Sequence, residues 1–387
     1  MAISLPPIEN ASEPPDLSQR LASGSTHKTA GGEFVVQRLS LQSGASEGVE
    51  LLLVQSDRVR AAICPTRGMS LWKANVDDVP LGWNSPVQGP VHPNFVAIDE
   101  SSGLGWLDGF DELMVRCGLR SFGAPDFDEN GSLLFPLHGR VGNLPARNLQ
   151  VNVDAEHSLL EVQAEVHETR FLQFNLQLTA KYVFSMGQPT IGISDTVLNA
   201  SATPTTMQML YHINIGDPVL EKGSKVDVSA SKVVARNAHA AADLETWNTY
   251  PDAVAGYEEQ VYFFAGKADE QGWAQAVVAN AADSQGVSVR YKTDTLPFFT
   301  QWKNTVARED GFVTGLEPGT GFPNPRSFEE EKGRVVSLGP QESVEFNVHI
   351  EGLSDAQQVA TARQGIEKLT GGRVAASGFD THWCTPR

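Results

Sequence analysis

Phe171-Leu172-Gln173-Phe174-Asn175-Leu176-Gln177-Leu178-Thr179-Ala180-Lys181-Tyr182-Val183-Phe184 alternates apolar and polar side chains almost without interruption. Leu172, Phe174, Leu176, Leu178, Ala180, Tyr182 and Phe184 share one side, and Gln173, Asn175, Gln177, Thr179 and Lys181 the other. A period of two with one polar face marks a strand half-buried against a core. Met186-Gly187-Gln188-Pro189 breaks the run, and residues 190–199 resume it with Ile191, Ile193 and Val197 on one face. Two such runs across a Gly/Pro turn predict an antiparallel hairpin.

Working outward, residues 51–54, 60–64, 159–166, 207–215, 274–279, 287–291, 298–302, 312–316 and 343–350 read as further strands. No helices separate them, so a parallel α/β fold is excluded in favour of a large antiparallel sandwich. One helix is expected near the end. Ser354 and Gln357 have capping-box spacing, Val359, Ala362, Ile366 and Leu369 form an apolar stripe, and Gly371-Gly372 stops it. The fold class is therefore mainly all-β with few short helices. Three stretches follow: a mobile or loosely docked lead-in at 1–30, a β domain at 31–353, and a helix and tail at 354–387. Residues 79–135, dense in Pro, Gly and Asp, read as long loops of the kind that carry binding residues.

The chain has 387 residues, 41% of them hydrophobic, ample for a sizeable core. Its formal charge of −18 repels phosphate backbones and anionic lipid heads, so neither nucleic acid nor a membrane surface is an expected partner. Cys64, Cys117 and Cys384 are far apart and odd in number, which is neither a disulfide framework nor a zinc motif. Cys64 and Cys117 read as buried small hydrophobes. The first twenty residues lack a signal-peptide pattern and no apolar run approaches a membrane span. These features read as a cytoplasmic protein.

Four places offer chemistry. In residues 207–215, Met207, Met209, Tyr211, Ile213 and Ile215 face one way, while Gln208, Leu210, His212 and Asn214 face the other. The second row suits a sugar, whose hydroxyls need directional donors and acceptors; it also suits a solvated outer face. Glu317 stands where a strand meets the turn Pro318-Gly319-Thr320-Gly321. His138 and Arg140 flank Gly139, which allows close approach of a ligand, and Arg67 precedes Gly68 at a strand end. Their plainer readings are a surface acid, a loop histidine and a surface ion pair. Gln301, Trp302 and Lys303 offer an aromatic platform with polar contacts, against core packing for Trp302. His92, Asp99, Asp108, Asp111, Glu112 and His138 share one loop-rich region without convincing ligand spacing. No metal and no cofactor are expected.

The ordered set Arg67-Gly68-Met69, Leu137-His138-Gly139-Arg140, Tyr211-His212-Ile213-Asn214 and Gly315-Leu316-Glu317-Pro318 resembles the galactose mutarotase-like, or aldose 1-epimerase-like, superfamily. Cys117-Gly118-Leu119, Gly216-Asp217-Pro218 and Gln260-Val261-Tyr262 bring it nearest to the DUF4432 branch. The resemblance spans roughly residues 34–353. It implies a β-supersandwich and a small-molecule carbohydrate as partner. It also implies Arg67 and His138 as sugar holders, His212 as catalytic acid and Glu317 as catalytic base. The family's further sugar-contacting Asp matches either Asp217 or Asp252. An Asn-His-x-Tyr-Phe-Asn context is usual around the second His; Tyr211-His212-Ile213-Asn214 stands here instead.

Anomer exchange then needs one base and one acid, expected on opposite sides of the ring, and no cofactor. Two rivals remain open. The same scaffold can epimerise or eliminate next to the carbonyl of a keto-sugar or uronate, with Arg67, Arg116 or Arg140 clamping a carboxylate. A non-catalytic carbohydrate-binding protein would keep Trp and Arg contacts but would not need Glu317.

Overall fold

The computed structural model describes residues 1–372 and 374–385. Two large sheets lie face to face. One has eight strands in the order Arg147–Asp154, Leu159–Arg170, Phe174–Ser185, Thr190–Asn199, Ser343–Leu353, Gly286–Lys292, Trp273–Ala279 and Lys225–Val228. Its hairpin is the one expected: Leu176 to Phe184 pair antiparallel with Asn199 to Ile191. Phe171 and Leu172 do not extend the strand. They form the exposed hairpin tip, and Leu172 has a left-handed backbone.

The second sheet has fifteen strands. Its middle runs Ser70–Val76, Met114–Leu119, Thr205–Ile215, Val313–Gly319, Phe298–Asn304 and Gln260–Gly266, all antiparallel. Leu176, Leu178, Ala180, Tyr182 and Phe184 from one sheet meet Met207, Met209, Tyr211, Ile213 and Ile215 from the other in a single apolar cluster. Arg116 is sealed between the sheets. It bonds Asp195 at 2.6 Å and the Tyr182 hydroxyl at 2.9 Å, and Tyr211 donates to the same Asp195 at 2.8 Å. A guanidinium so enclosed cannot clamp a substrate carboxylate.

The ends of the chain are better anchored than composition suggested. Ile8–Ala11 and Ser25–Thr29 both pair with Gly32–Leu41, and Leu17 is buried. Ala375–Ser377 adds a parallel strand to Ala230–Ala235, and Cys384 is buried beyond it. The terminal helix is Ala356–Thr370. Its cap lies one residue later than expected: the Asp355 side chain accepts from the Gln358 N–H, and Gly371 closes the helix with φ of 72°. All three cysteines are free and buried. Among the described residues no helix is long and apolar enough to cross a membrane.

Loops between residues 82 and 146 cover the middle of the outer face of the fifteen-stranded sheet, where Trp83, Trp106 and Phe110 pack on Val115, Leu210 and Val313. Arg67 binds that cover to the sheet. Its guanidinium reaches Glu112 at 2.7 Å, the Gly109 carbonyl at 2.9 Å, the Val91 carbonyl at 3.0 Å and Asn143 Oδ1 at 2.8 Å.

Candidate active site

The site grows from two neighbouring strands. The register that pairs Leu210 with Gly319 and Ile213 with Leu316 sets His212 directly across from Glu317. Alternation turns both away from the inter-sheet core, because Ile213 and Leu316 occupy it. His212 Nε2 and Glu317 Oε1 are 3.3 Å apart, and the two residues are 4% and 2% exposed. Space for the carboxylate comes from Gly315, two residues back along the strand and on the same face. A Cβ there would sit 2.3 Å from Glu317 Oε1 and 3.2 Å from His212 Cε1.

Asn214, two residues on and on the same face, orients the histidine. Its Nδ2 donates to the Glu112 carbonyl at 3.0 Å, which leaves its Oδ1 to accept from His212 Nδ1–H at 2.7 Å. The proton is thereby held on Nδ1, and Nε2 faces Glu317. Burial pushes the Glu317 carboxyl well above the usual range; the charge of Glu259 adds to this and Arg236 opposes it. Burial likewise holds the His212 imidazole well below its usual value, helped by His138 and opposed by Asn214. Both shifts favour a neutral pair that shares one proton.

The loop cover and the next strands close a cavity of about 320 Å³ over this pair. Phe110, Trp106 and Trp302 surround His212 with ring centroids at 5.2, 5.9 and 5.5 Å. His138 meets the same ring edge-on at 5.0 Å. His138 Nδ1 donates to the Phe122 carbonyl at 2.7 Å, which turns Nε2 toward the cavity as an acceptor. Burial pulls this imidazole down to about 4. His138 has a left-handed backbone, and a Cβ on the following Gly139 would lie 2.0 Å from the Ser121 carbonyl oxygen. The glycine lets the loop press down on the sheet.

Beyond Glu317, the wall is polar. Trp302 Nε1 donates to Glu259 at 2.7 Å, and Arg236 holds the other oxygen of Glu259 at 3.0 Å. Thr300 Oγ1 and Arg236 Nε are buried without a hydrogen-bond partner among the described residues, and Glu317 Oε1 faces His212 Nε2. An aromatic shell around a few unused donors and acceptors suits a hydroxylated small molecule. Among the described residues no group of three His, Cys, Asp or Glu side chains is arranged to hold a metal ion.

His212, Glu317, His138 and Trp302 thus meet in one cavity, with Asn214 behind them. The remaining expected contacts lie elsewhere. Arg67 is 1% exposed and fully engaged beneath the loops. Arg140 pairs with Asp99 at 2.6 Å outside the cavity. Asp217 pairs with Arg308, and Asp252 with Lys222, both near the surface. Gln301 and Lys303 point to the opposite side of their strand from Trp302. Gln301 bonds Tyr250 at 2.9 Å, and Lys303, lowered to about 8 by burial, bonds the Thr249 carbonyl at 2.7 Å. Three consecutive strand residues cannot share a face. Trp106, Phe110, Arg236, Glu259 and Thr300 were not anticipated. A period-two signal existed for two of them, since Thr300 lies two residues from Trp302, and Glu259 two from Val261, on the same face.

Residues 46–351 match the family described as Domain of unknown function (DUF4432). A putative aldose 1-epimerase from Klebsiella pneumoniae subsp. pneumoniae MGH 78578 is 34% identical with a TM-score of 0.87, covering 90% of this chain and 91% of that one. A galactose mutarotase-like protein from Clostridium acetobutylicum has a TM-score of 0.56 at 14% identity, covering 82% and 98%. A galactose mutarotase related enzyme from Lactobacillus acidophilus has a TM-score of 0.54 at 12% identity, covering 79% and 98%, and like the Clostridium protein it speaks to the fold alone. No protein of curated function matches the sequence. The family match spans well over half of the chain, and the chain belongs to the DUF4432 family, with a galactose mutarotase-like fold.

Proposed function

We propose that the protein is a cofactor-independent isomerase of the aldose 1-epimerase kind, exchanging the anomers of a small sugar. The observation that carries this is the His212–Glu317 pair, 3.3 Å apart on adjacent strands inside an aromatic cavity. Ring opening takes a proton from the anomeric hydroxyl and gives one to the ring oxygen. Both oxygens are bonded to the same carbon, so the acid and base belong side by side. The expectation of groups on opposite sides of the ring gives way to this arrangement. Glu317 acts on the anomeric hydroxyl as base and His212 Nε2 delivers a proton to the ring oxygen. One proton passing from Glu317 to His212 creates that ionised form without any exchange with solvent. Rotation about C1–C2 and the reverse transfers close the ring on the other face. Positioned acids and bases of this kind each contribute about 10²–10⁴ in rate.

The Arg residues suited to clamping a carboxylate do not favour the uronate reading. Arg67 and Arg116 are enclosed, Arg140 lies outside the cavity, and Arg236 already faces Glu259. The test is Glu317→Gln. In NMR saturation-transfer experiments on a panel of aldoses, the wild type should exchange anomers of at least one sugar. The variant should bind that sugar and lose exchange. Full exchange by the variant would exclude Glu317 as the base.

A further inference from the structure

A second pocket, of about 240 Å³, lies behind the loop that carries His138 and shares no lining residue with the cavity over His212. Arg120, Arg140 and Arg170 line it, together with Phe135, Phe174 and Glu168. In a chain of formal charge −18, this is a local concentration of cations. Arg140 is paired with Asp99. Arg120 and Arg170 have no ion pair among the described residues, and Arg120 Nε is buried without a hydrogen-bond partner. Glu168, on the floor, partly offsets the charge of Arg120 and Arg140 but makes no ion pair with them among the described residues; its Oε2 accepts from the Leu119 and Arg120 N–H groups at 2.7 and 3.2 Å.

The Arg120 guanidinium is held in place before any ligand arrives. Arg120 lies over the Phe174 ring at 4.3 Å and the Phe135 ring at 5.6 Å. Arg170 approaches Phe174 from the hairpin end at 6.0 Å. Behind them, Arg326 lies 5.3 Å from the Phe135 ring and donates to the Arg120 carbonyl. Stacking fixes the plane of a guanidinium and leaves its N–H edge free. Neighbouring like charges repel, and an oxyanion between them removes that repulsion while accepting forked hydrogen bonds.

We propose that this pocket binds a phosphate group, free or carried on a small metabolite, between Arg120 and Arg170. The inference does not depend on the sugar chemistry proposed for the other cavity. The experiment titrates the full-length protein with inorganic phosphate at low salt by calorimetry, with chloride as control. A parallel arm uses a hexose phosphate and its neutral hexose. Wild type should bind phosphate saturably, and Arg120→Gln/Arg170→Gln should weaken binding by about tenfold or more. Arg170→Gln alone alters an exposed strand end, so it keeps the test intact where the double variant does not fold; it too should weaken binding. Binding of both inorganic and sugar phosphate identifies the free anion as sufficient. Binding of the sugar phosphate alone, lost in the variants, assigns the metabolite-borne group. Absence of saturable binding in both arms, or binding unchanged in Arg170→Gln, would overturn the proposal.

Discussion

Gly315→Ala is the substitution that most directly tests whether Glu317 must sit where it does. Gly315 lies in an extended strand, where any residue can adopt the backbone, so its smallness serves space rather than conformation. An added Cβ would lie 2.3 Å from Glu317 Oε1, about 1.1 Å short of ordinary contact at 3.4 Å. The strand backbone is paired on both sides, so the carboxylate is the group that yields. A displacement near 1 Å at a reacting group costs up to about 10²-fold in rate. Overpacking costs about 1–3 kcal/mol of stability, offset by the roughly 0.5–1 kcal/mol that alanine gains over glycine. The variant should therefore fold with a modestly lower Tm, bind sugar nearly normally, and lose kcat with an altered pH profile. The assay is anomer exchange by NMR across pH, alongside thermal denaturation. Unchanged kcat and an unchanged pH profile in a folded Gly315→Ala protein would refute the reasoning.

Three further outcomes follow from the same geometry. Asn214→Leu frees His212 to rotate and change tautomer, so exchange should fall by about 10²-fold with sugar affinity little changed, as measured by kinetics and titration. Arg67→Met leaves Glu112 buried without its partner, and urea unfolding should show a loss of about 3–5 kcal/mol. The His138 imidazole, at about 4 when folded, stays neutral where an unfolded-chain imidazole near 6.5 takes a proton. The unfolded state then binds more protons between those values, so stability falls as pH drops through the window, by at most about 3 kcal/mol. His138→Gln lacks this contribution. Its stability difference from wild type should shrink on acidification in urea titrations across that range, and a constant difference would contradict the assignment.

Much of the site was legible because strand alternation is rigid. The apolar row Met207, Met209, Tyr211, Ile213 and Ile215 had to enter a core, which left His212 and Asn214 on the other face. What alternation could not supply was register. That His212 faces Glu317 depends on hydrogen bonds between strands more than a hundred residues apart. The same rule, applied to residues 301–303, would have separated Trp302 from Gln301 and Lys303. Trp106 and Phe110 come from a short 3-10 helix, Gly105–Gly109, and its cap, too brief for any period to indicate direction, and Arg67 looked like a ligand-binding fork because its partner Glu112 lies 45 residues away. The docked N-terminus was hidden for a related reason: its strands pair through backbone groups and bury few side chains of their own.

The decisive measurement is a crystal structure of the Glu317→Gln protein soaked with an aldose. The account predicts the anomeric carbon over the 212–317 pair, with the anomeric hydroxyl bonded to the introduced amide and the ring oxygen within hydrogen-bond reach of His212 Nε2. A sugar bound elsewhere, or bound in the cavity with its anomeric carbon turned away from both side chains, would contradict it.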